Sequence, residues 1–235
     1  MPRSPDHHRH RNPPLSATKL RPTDAGPATT GGTRSRCLIC GNDIGFDLPE
    51  DLVRAVIRRQ VVLFAGAGIS TESPSAYPQT LYDRLAADLG ATGRNLPFSA
   101  LMTEYETRKG RKRLLEEIKS RLDYAEAFPQ VRSLATRFHH EMATIPWLDQ
   151  IVTTNWDTFF ETVAGAIPIV TPEDYAFWDM PGRHVFKIHG SISNLGTLVV
   201  TSRDYQRCYR RLVRGVIGSS LQHILVHCLM KTLTV

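Results

Sequence analysis

Apolar positions cluster along this chain in short continuous runs separated by helical spacings. Val61-Val62-Leu63-Phe64-Ala65 is an uninterrupted apolar run that ends at a glycine turn, the pattern of a strand buried on both faces. Ile151–Thr154, Ile167–Val170, His184–Ile188 and Leu198–Val200 predict further strands. Leu81, Leu85 and Leu89 recur at the i, i+4, i+8 spacing of a helix face, and Leu134, Phe138 and Met142 do the same. Asp47-Leu48-Pro49-Glu50 reads as a helix start, with an acceptor at the cap, Glu three residues on and proline in the first turn. Leu52, Val53, Val56 and Ile57 line one face of that helix. Strands alternating with helices predict an α/β fold, a doubly wound, mostly parallel sheet with helices on both faces. Ligands in such folds bind beyond the C-terminal ends of the strands.

Composition changes this picture mainly at the N-terminus. Residues 1–36 hold six prolines, three histidines and few apolar residues, so they are expected to form a disordered tail. Translation starting further in is an open alternative. Residues 37–235 are then the domain. The tail carries seven basic and two acidic residues, five of the six net positive charges. The remainder, with 22 basic and 21 acidic residues, is nearly neutral. A nucleic-acid partner is therefore not expected, because phosphate binding needs a basic surface on the folded unit. No stretch approaches the ~20 apolar residues of a membrane span, and no apolar signal core precedes the domain. Four cysteines are too sparse for a disulfide scaffold, so a cytoplasmic location is expected.

Three segments at predicted strand ends carry candidate chemistry. Ala65-Gly66-Ala67-Gly68-Ile69-Ser70 follows the first strand; its glycines let the backbone approach a ligand, and its amides can cradle a pyrophosphate. The bland alternative is a tight turn without a ligand. Thr153-Thr154-Asn155-Trp156-Asp157 places an amide and a carboxylate two residues apart at the crevice mouth, although either could simply cap the helix that contains Phe159 and Phe160. Lys187-Ile188-His189-Gly190-Ser191 exposes an imidazole at a strand end. A lone histidine is more often a hydrogen-bonded structural residue. Three such coincidences at three strand ends favour a site.

In that order, GAGIS, TTNWD and KIHGS resemble the motifs of the sirtuin-like domain family, a Rossmann-like fold, over roughly residues 48–205. The TTNWD and KIHGS variants are closer to bacterial sirtuin-like domains of antiphage defence proteins. The resemblance implies NAD as substrate. Ala65, Gly66, Ala67, Gly68, Ile69 and Ser70 would wrap its phosphates and nearby ribose, with Thr154, Trp156, Gly190 and Ser191 completing the binding site. Asn155 would hold the nicotinamide ribose or the attacking water, Asp157 would contact the carboxamide, and His189 would act as general base. Cleaving the bond to a leaving group that is already cationic needs positioning and a base rather than a strong acid.

Two departures refine the expectation. Deacetylases of this family carry a four-cysteine zinc module after the HG strand, whereas here no cysteine follows His189 until Cys208. Hydrolysis of NAD to nicotinamide and ADP-ribose is therefore expected over protein deacylation, with no metal at the site. The family's next strand, with a glycine–serine turn, has no counterpart in residues 214–235. The chain is thus expected to be a truncated form, and its own activity is in question. The alternative is a non-catalytic module that senses NAD or ADP-ribose. A protein partner or homo-oligomer is compatible with either reading.

Smaller signals have plainer explanations. Cys37-x-x-Cys40 could join His223-x-x-x-His227 and Cys228 in a zinc site, but about 180 residues separate the halves. Arg108, Lys109, Arg111, Lys112 and Arg113 read as a solvated helix face, as do Arg207, Arg210, Arg211 and Arg214.

Overall fold

The structure is a computed structural model, and it describes residues 35–36, 43–44 and 49–214. The chain divides into two units, Met1–Asp47 and Leu48–Val235. In the first, β1 (Ser35–Arg36) and β2 (Asp43–Ile44) pair antiparallel. Ser35 and Arg36 are the last two residues of the expected tail. Residues 1–34, Cys37, Cys40, His223, His227 and Cys228 lie outside the described residues.

The second unit opens with α1 (Glu50–Ile57) and then β3 (Val62–Ala65). The helix starts with Pro49 at its cap and no side-chain cap bond, while Asp47 lies outside the described residues. A single 3-10 turn, Ala67–Ile69, follows β3. Five helices come next: α2 (Leu81–Asp88), α3 (Phe98–Lys109), α4 (Arg111–Ala127), α5 (Pro129–Ala135) and α6 (Arg137–Ala143). The chain continues through β4 (Gln150–Thr153), α7 (Phe159–Ala164), β5 (Ile167–Ile169), β6 (His184–Lys187) and α8 (Ser202–Arg214). Short 3-10 turns cover Pro172–Phe177 and Leu195–Thr197.

The four longer strands form one parallel sheet in the order β3-β4-β6-β5. Its parallel, Rossmann-like α/β architecture is the one the alternation of runs predicts. Forward steps from β3 to β4 to β5 place two right-handed connections on one face, and the backward step from β5 to β6 places the third on the other. The packing agrees. Ala65, Ile151 and Val185 meet Phe160 of α7 and Phe138 of α6 on one face. Val152, Ile169 and Phe186 meet Tyr175 and Trp178, around the Pro172–Phe177 turn, on the other. A separate core joins α2, α3 and α4 to Leu198 and Val200.

Three expectations are corrected by this packing, and the apolar face expected on α1 forms but is left uncovered among the described residues. Val61–Ala65 is predicted to be buried on both faces, but β3 is an edge among the described strands and Phe64 is 58% exposed. No residue of α1 is buried, and Leu52, Val53 and Ile57 are exposed. The single helix expected through Leu134, Phe138 and Met142 is two, α5 and α6, broken at Thr136, which has non-helical backbone. Leu198–Val200 is buried as expected but forms no strand; it runs beneath the helical core, with Val199 N–H donating to the His189 carbonyl. Among the described residues no helix is long and apolar enough to cross a membrane.

Candidate functional site

Because the strands are parallel and in register, their C-terminal ends lie side by side. Ala65 pairs with Thr153, and Thr153 with Lys187, so the glycine turn, the TTNWD segment and the KIHGS segment leave the sheet at one level. The polypeptide beyond β3 is extended at Gly66, with φ −113° and ψ 179°. A Cβ on Gly68 would meet nothing within 4 Å. Glycine there is not demanded by protein packing, so its open face is free for a ligand. Neither glycine has positive φ, so the turn's need for glycine is one of approach rather than of backbone strain.

Thr153 stitches the first two segments together. It is 1% exposed; its hydroxyl donates to the Ala65 carbonyl at 3.0 Å and accepts the Asn155 N–H at 3.0 Å. The Thr154 N–H also donates to Ala65 O, at 3.2 Å. Asn155, itself buried, donates from Nδ2 to Ser70 Oγ at 3.2 Å, while its Oδ1 has no hydrogen-bond partner among the described residues. The indole Nε1 of Trp156 is likewise buried and has no hydrogen-bond partner among the described residues. The Trp156 ring lies 6.2 Å from that of Phe98.

Asp157 has two placements at once. It borders the cleft, and its Oδ1 accepts the Phe159 N–H at 3.2 Å, so the capping role is real for this residue. Asn155 does not cap the helix. His189 is half-buried, and burial pushes its pKa below the ordinary 6.5. A lowered value keeps the imidazole neutral and able to accept a proton near pH 7. Its ring packs edge-on against Tyr205 at 4.9 Å. Arg111 fixes the start of that helix: its guanidinium contacts Asp204 at 2.6 Å and donates to the Leu198 carbonyl at 3.0 Å. Asp204 in turn accepts the Val200 and Thr201 N–H groups. Arg111 is therefore structural rather than part of a solvated face.

These segments enclose a cleft of about 260 Å³. Ala67, Ser70, Thr154, Asn155, Trp156, Asp157 and His189 all line it. The other expected site residues do not line it. Ala65 and Ile69 pack into the sheet core, and Ser191 is 1% exposed, bonded to Ser193 and Thr197. Gly66 and Gly68 shape the turn. Gly190 has φ +85°, and a Cβ there would lie 2.3 Å from the Thr197 carbonyl oxygen, so that glycine is required by the turn itself.

The helices supply lining that sequence patterns did not single out. Leu81 and Tyr82 of α2, Phe98 of α3, and Ile118, Arg121 and Leu122 of α4 close the opposite wall, with Thr71, Glu72 and Tyr205. Arg121 is 6% exposed, pairs with Glu72 at 2.8 Å and donates to the Thr71 carbonyl at 2.8 Å. Its guanidinium sits 4.0 Å from the centre of the Tyr77 ring. Burial raises the Tyr77 pKa, with Arg121 opposing. Glu72 also accepts the Leu81 N–H, tying the loop after the glycine turn to the start of α2. No local motif announces these residues; only the fold brings α4 to the strand ends.

Comparison with known proteins matches part of this geometry. A family model described as a SIR2-like domain matches residues 149–234. An uncharacterized protein, y4cA, of Sinorhizobium fredii is 30% identical over 192 residues. The alignment takes in 72% of this chain and 16% of that protein, so the chain spans under a fifth of the relative's length. The SIR2-like match covers the part of the chain that carries TTNWD and KIHGS, and the parallel α/β sheet is consistent with that NAD-related, sirtuin-like fold.

Proposed function

We propose that the cleft binds NAD and hydrolyses the bond between nicotinamide and ribose, releasing nicotinamide and ADP-ribose. The observation that carries this reading is the meeting of all three strand-end segments in one cleft, with the imidazole of His189 and the Asn155 amide oxygen, unpaired among the described residues, on its walls. SIR2-like domains bind NAD. The open face of Gly68 and the amides of Ala67 and Gly68 at the start of the turn suit a pyrophosphate. Unpartnered buried polar atoms are costly unless a ligand supplies the missing bond, and Asn155 Oδ1 and Trp156 Nε1 meet that description.

In the reaction the ribose–nitrogen bond breaks and its electron pair leaves with neutral nicotinamide. Asn155 orients water or a ribose hydroxyl, and His189 accepts the proton that water gives up as its oxygen bonds the ribose carbon. Asp157 contacts the carboxamide. Water is the acceptor because the cysteine module of the deacylases is absent from the segment after His189. A defence setting rests on the resemblance of TTNWD and KIHGS alone.

A second reading is favoured by one observation. Burial lowers the His189 pKa, and among the described residues no carboxylate is hydrogen-bonded to its ring. That arrangement also suits a module that senses NAD or ADP-ribose without turnover. Nicotinamide release from NAD by the full chain, with Asn155→Ala and His189→Ala beside it, separates the two. Hydrolysis by wild type and a loss of ~10²–10⁴ in each variant is expected. Tight NAD binding without release selects the sensor.

A further inference from the structure

Behind the cleft lies a group of buried charges that the proposed reaction leaves unused. Lys187, the last residue of β6, is 1% exposed. Its ammonium donates to the Asp157 carbonyl and to Glu161 Oε1 of α7, the latter at 2.8 Å. Burial raises the Glu161 pKa while Lys187 opposes the rise. The other Glu161 oxygen, Oε2, is buried without a hydrogen-bond partner among the described residues. His139, fully buried between Phe159 and Phe160, senses the charges of both Asp157 and Lys187.

A buried ion pair seldom stabilises a fold more than apolar residues of the same volume would. Stability therefore does not explain a lysine in a strand whose neighbours are Val185 and Phe186. Its placement does. Lys187 bonds the carbonyl of Asp157, and the Ile192 N–H bonds the carbonyl of Trp156 at 2.8 Å. The segment that carries His189 thus grips the Asn155–Asp157 loop at two successive carbonyls, one on each side of the histidine in sequence.

We propose that Lys187 is a positioning residue, holding the Asp157 carbonyl with Glu161 as its counter-ion, so that the Asn155–Asp157 loop and His189 keep a fixed separation across the cleft. This deepens the NAD-hydrolase reading and rests on it for its catalytic consequence; the mechanical claim stands on the hydrogen bonds alone.

K187M by itself strands the buried Glu161 carboxylate, which is strongly destabilising. The deciding variant is K187M/E161Q, which removes both charges together. Three quantities are measured on the full chain: thermal melting, amide hydrogen exchange at Phe159 and Ile192, and kcat and KM for NAD. The Ile188 amide, bonded to Thr153 O within the sheet, serves as the internal control. The double variant is expected to melt near wild type, with Phe159 and Ile192 exchanging at least ~10-fold faster and Ile188 unchanged. Its kcat falls ~10-fold or more, with KM altered far less. Recovery of both melting and wild-type exchange would make the pair merely structural and overturn the proposal. A double variant as unstable as K187M would overturn it too. If wild type releases no nicotinamide, the hydrolase reading fails while the exchange rates still decide the role of Lys187.

Discussion

Replacing Thr153 by valine keeps the shape of the side chain and deletes one hydroxyl, and the structure gives the consequence. That hydroxyl both donates to the Ala65 carbonyl and accepts the Asn155 N–H. Ala65 O keeps the Thr154 N–H, so it is not orphaned. The Asn155 N–H is orphaned, in a residue that is 5% exposed. A buried donor left without a partner costs about 1–3 kcal/mol. In a domain of this size a loss of ~2 kcal/mol lowers the melting temperature by roughly 4–8 °C. Asn155 would also lose its link to the base of the glycine turn, so nicotinamide release should fall more steeply than stability. Thr153→Ser retains the hydroxyl and should restore most of both. The assays are a thermal melt and a nicotinamide-release time course on all three proteins. Thr153→Val melting within about 1 °C of wild type, with undiminished release, would refute the claim that this hydroxyl joins the two segments.

Gly190→Ala forces a side chain into a positive-φ position whose Cβ would meet the Thr197 backbone at 2.3 Å; a loss of ~2 kcal/mol or more, read by denaturant titration, is expected, and a neutral effect would disprove that turn geometry. Acid should also destabilise the fold through His139, whose pKa burial holds below the ordinary 6.5, with Asp157 opposing. The unfolded chain then binds more protons, so this contribution is present above pH 6.5 and is lost as pH falls through the folded-state value. His139→Leu should flatten the decline of melting temperature below pH 6.5; an unchanged slope would remove His139 from the account.

Much of this was legible in the chain because parallel strands are buried on both faces and advertise themselves as apolar runs. Ile151–Thr153 and His184–Lys187 obey that rule as the two central strands. Val62–Ala65 obeys it in composition but not in burial, since exposure depends on which strand lies alongside, and Phe64 has no described neighbour on its outer side. The helix break at Thr136 carries no proline or glycine, so periodicity runs straight across it. Leu198–Val200 reads as a strand because burial alone produces an apolar run. The strand-end motifs located one wall of the cleft. Arg121, Glu72, Tyr82 and Phe98 come from elements distant in sequence, and their convergence is a property of helix packing that no local spacing encodes.

Titrating NAD into the wild-type chain and Gly68→Val by calorimetry tests the central claim, which the hydrolase and sensor readings share. A Cβ at Gly68 would meet no described protein atom within 4 Å, so the variant is expected to melt like wild type, and a loss of affinity with unchanged melting reports a clash with ligand. Wild type is expected to bind saturably, with a loss of at least ~10-fold, about 1.4 kcal/mol, in the variant. Equal affinities in the two proteins, or no binding by wild type, would contradict it.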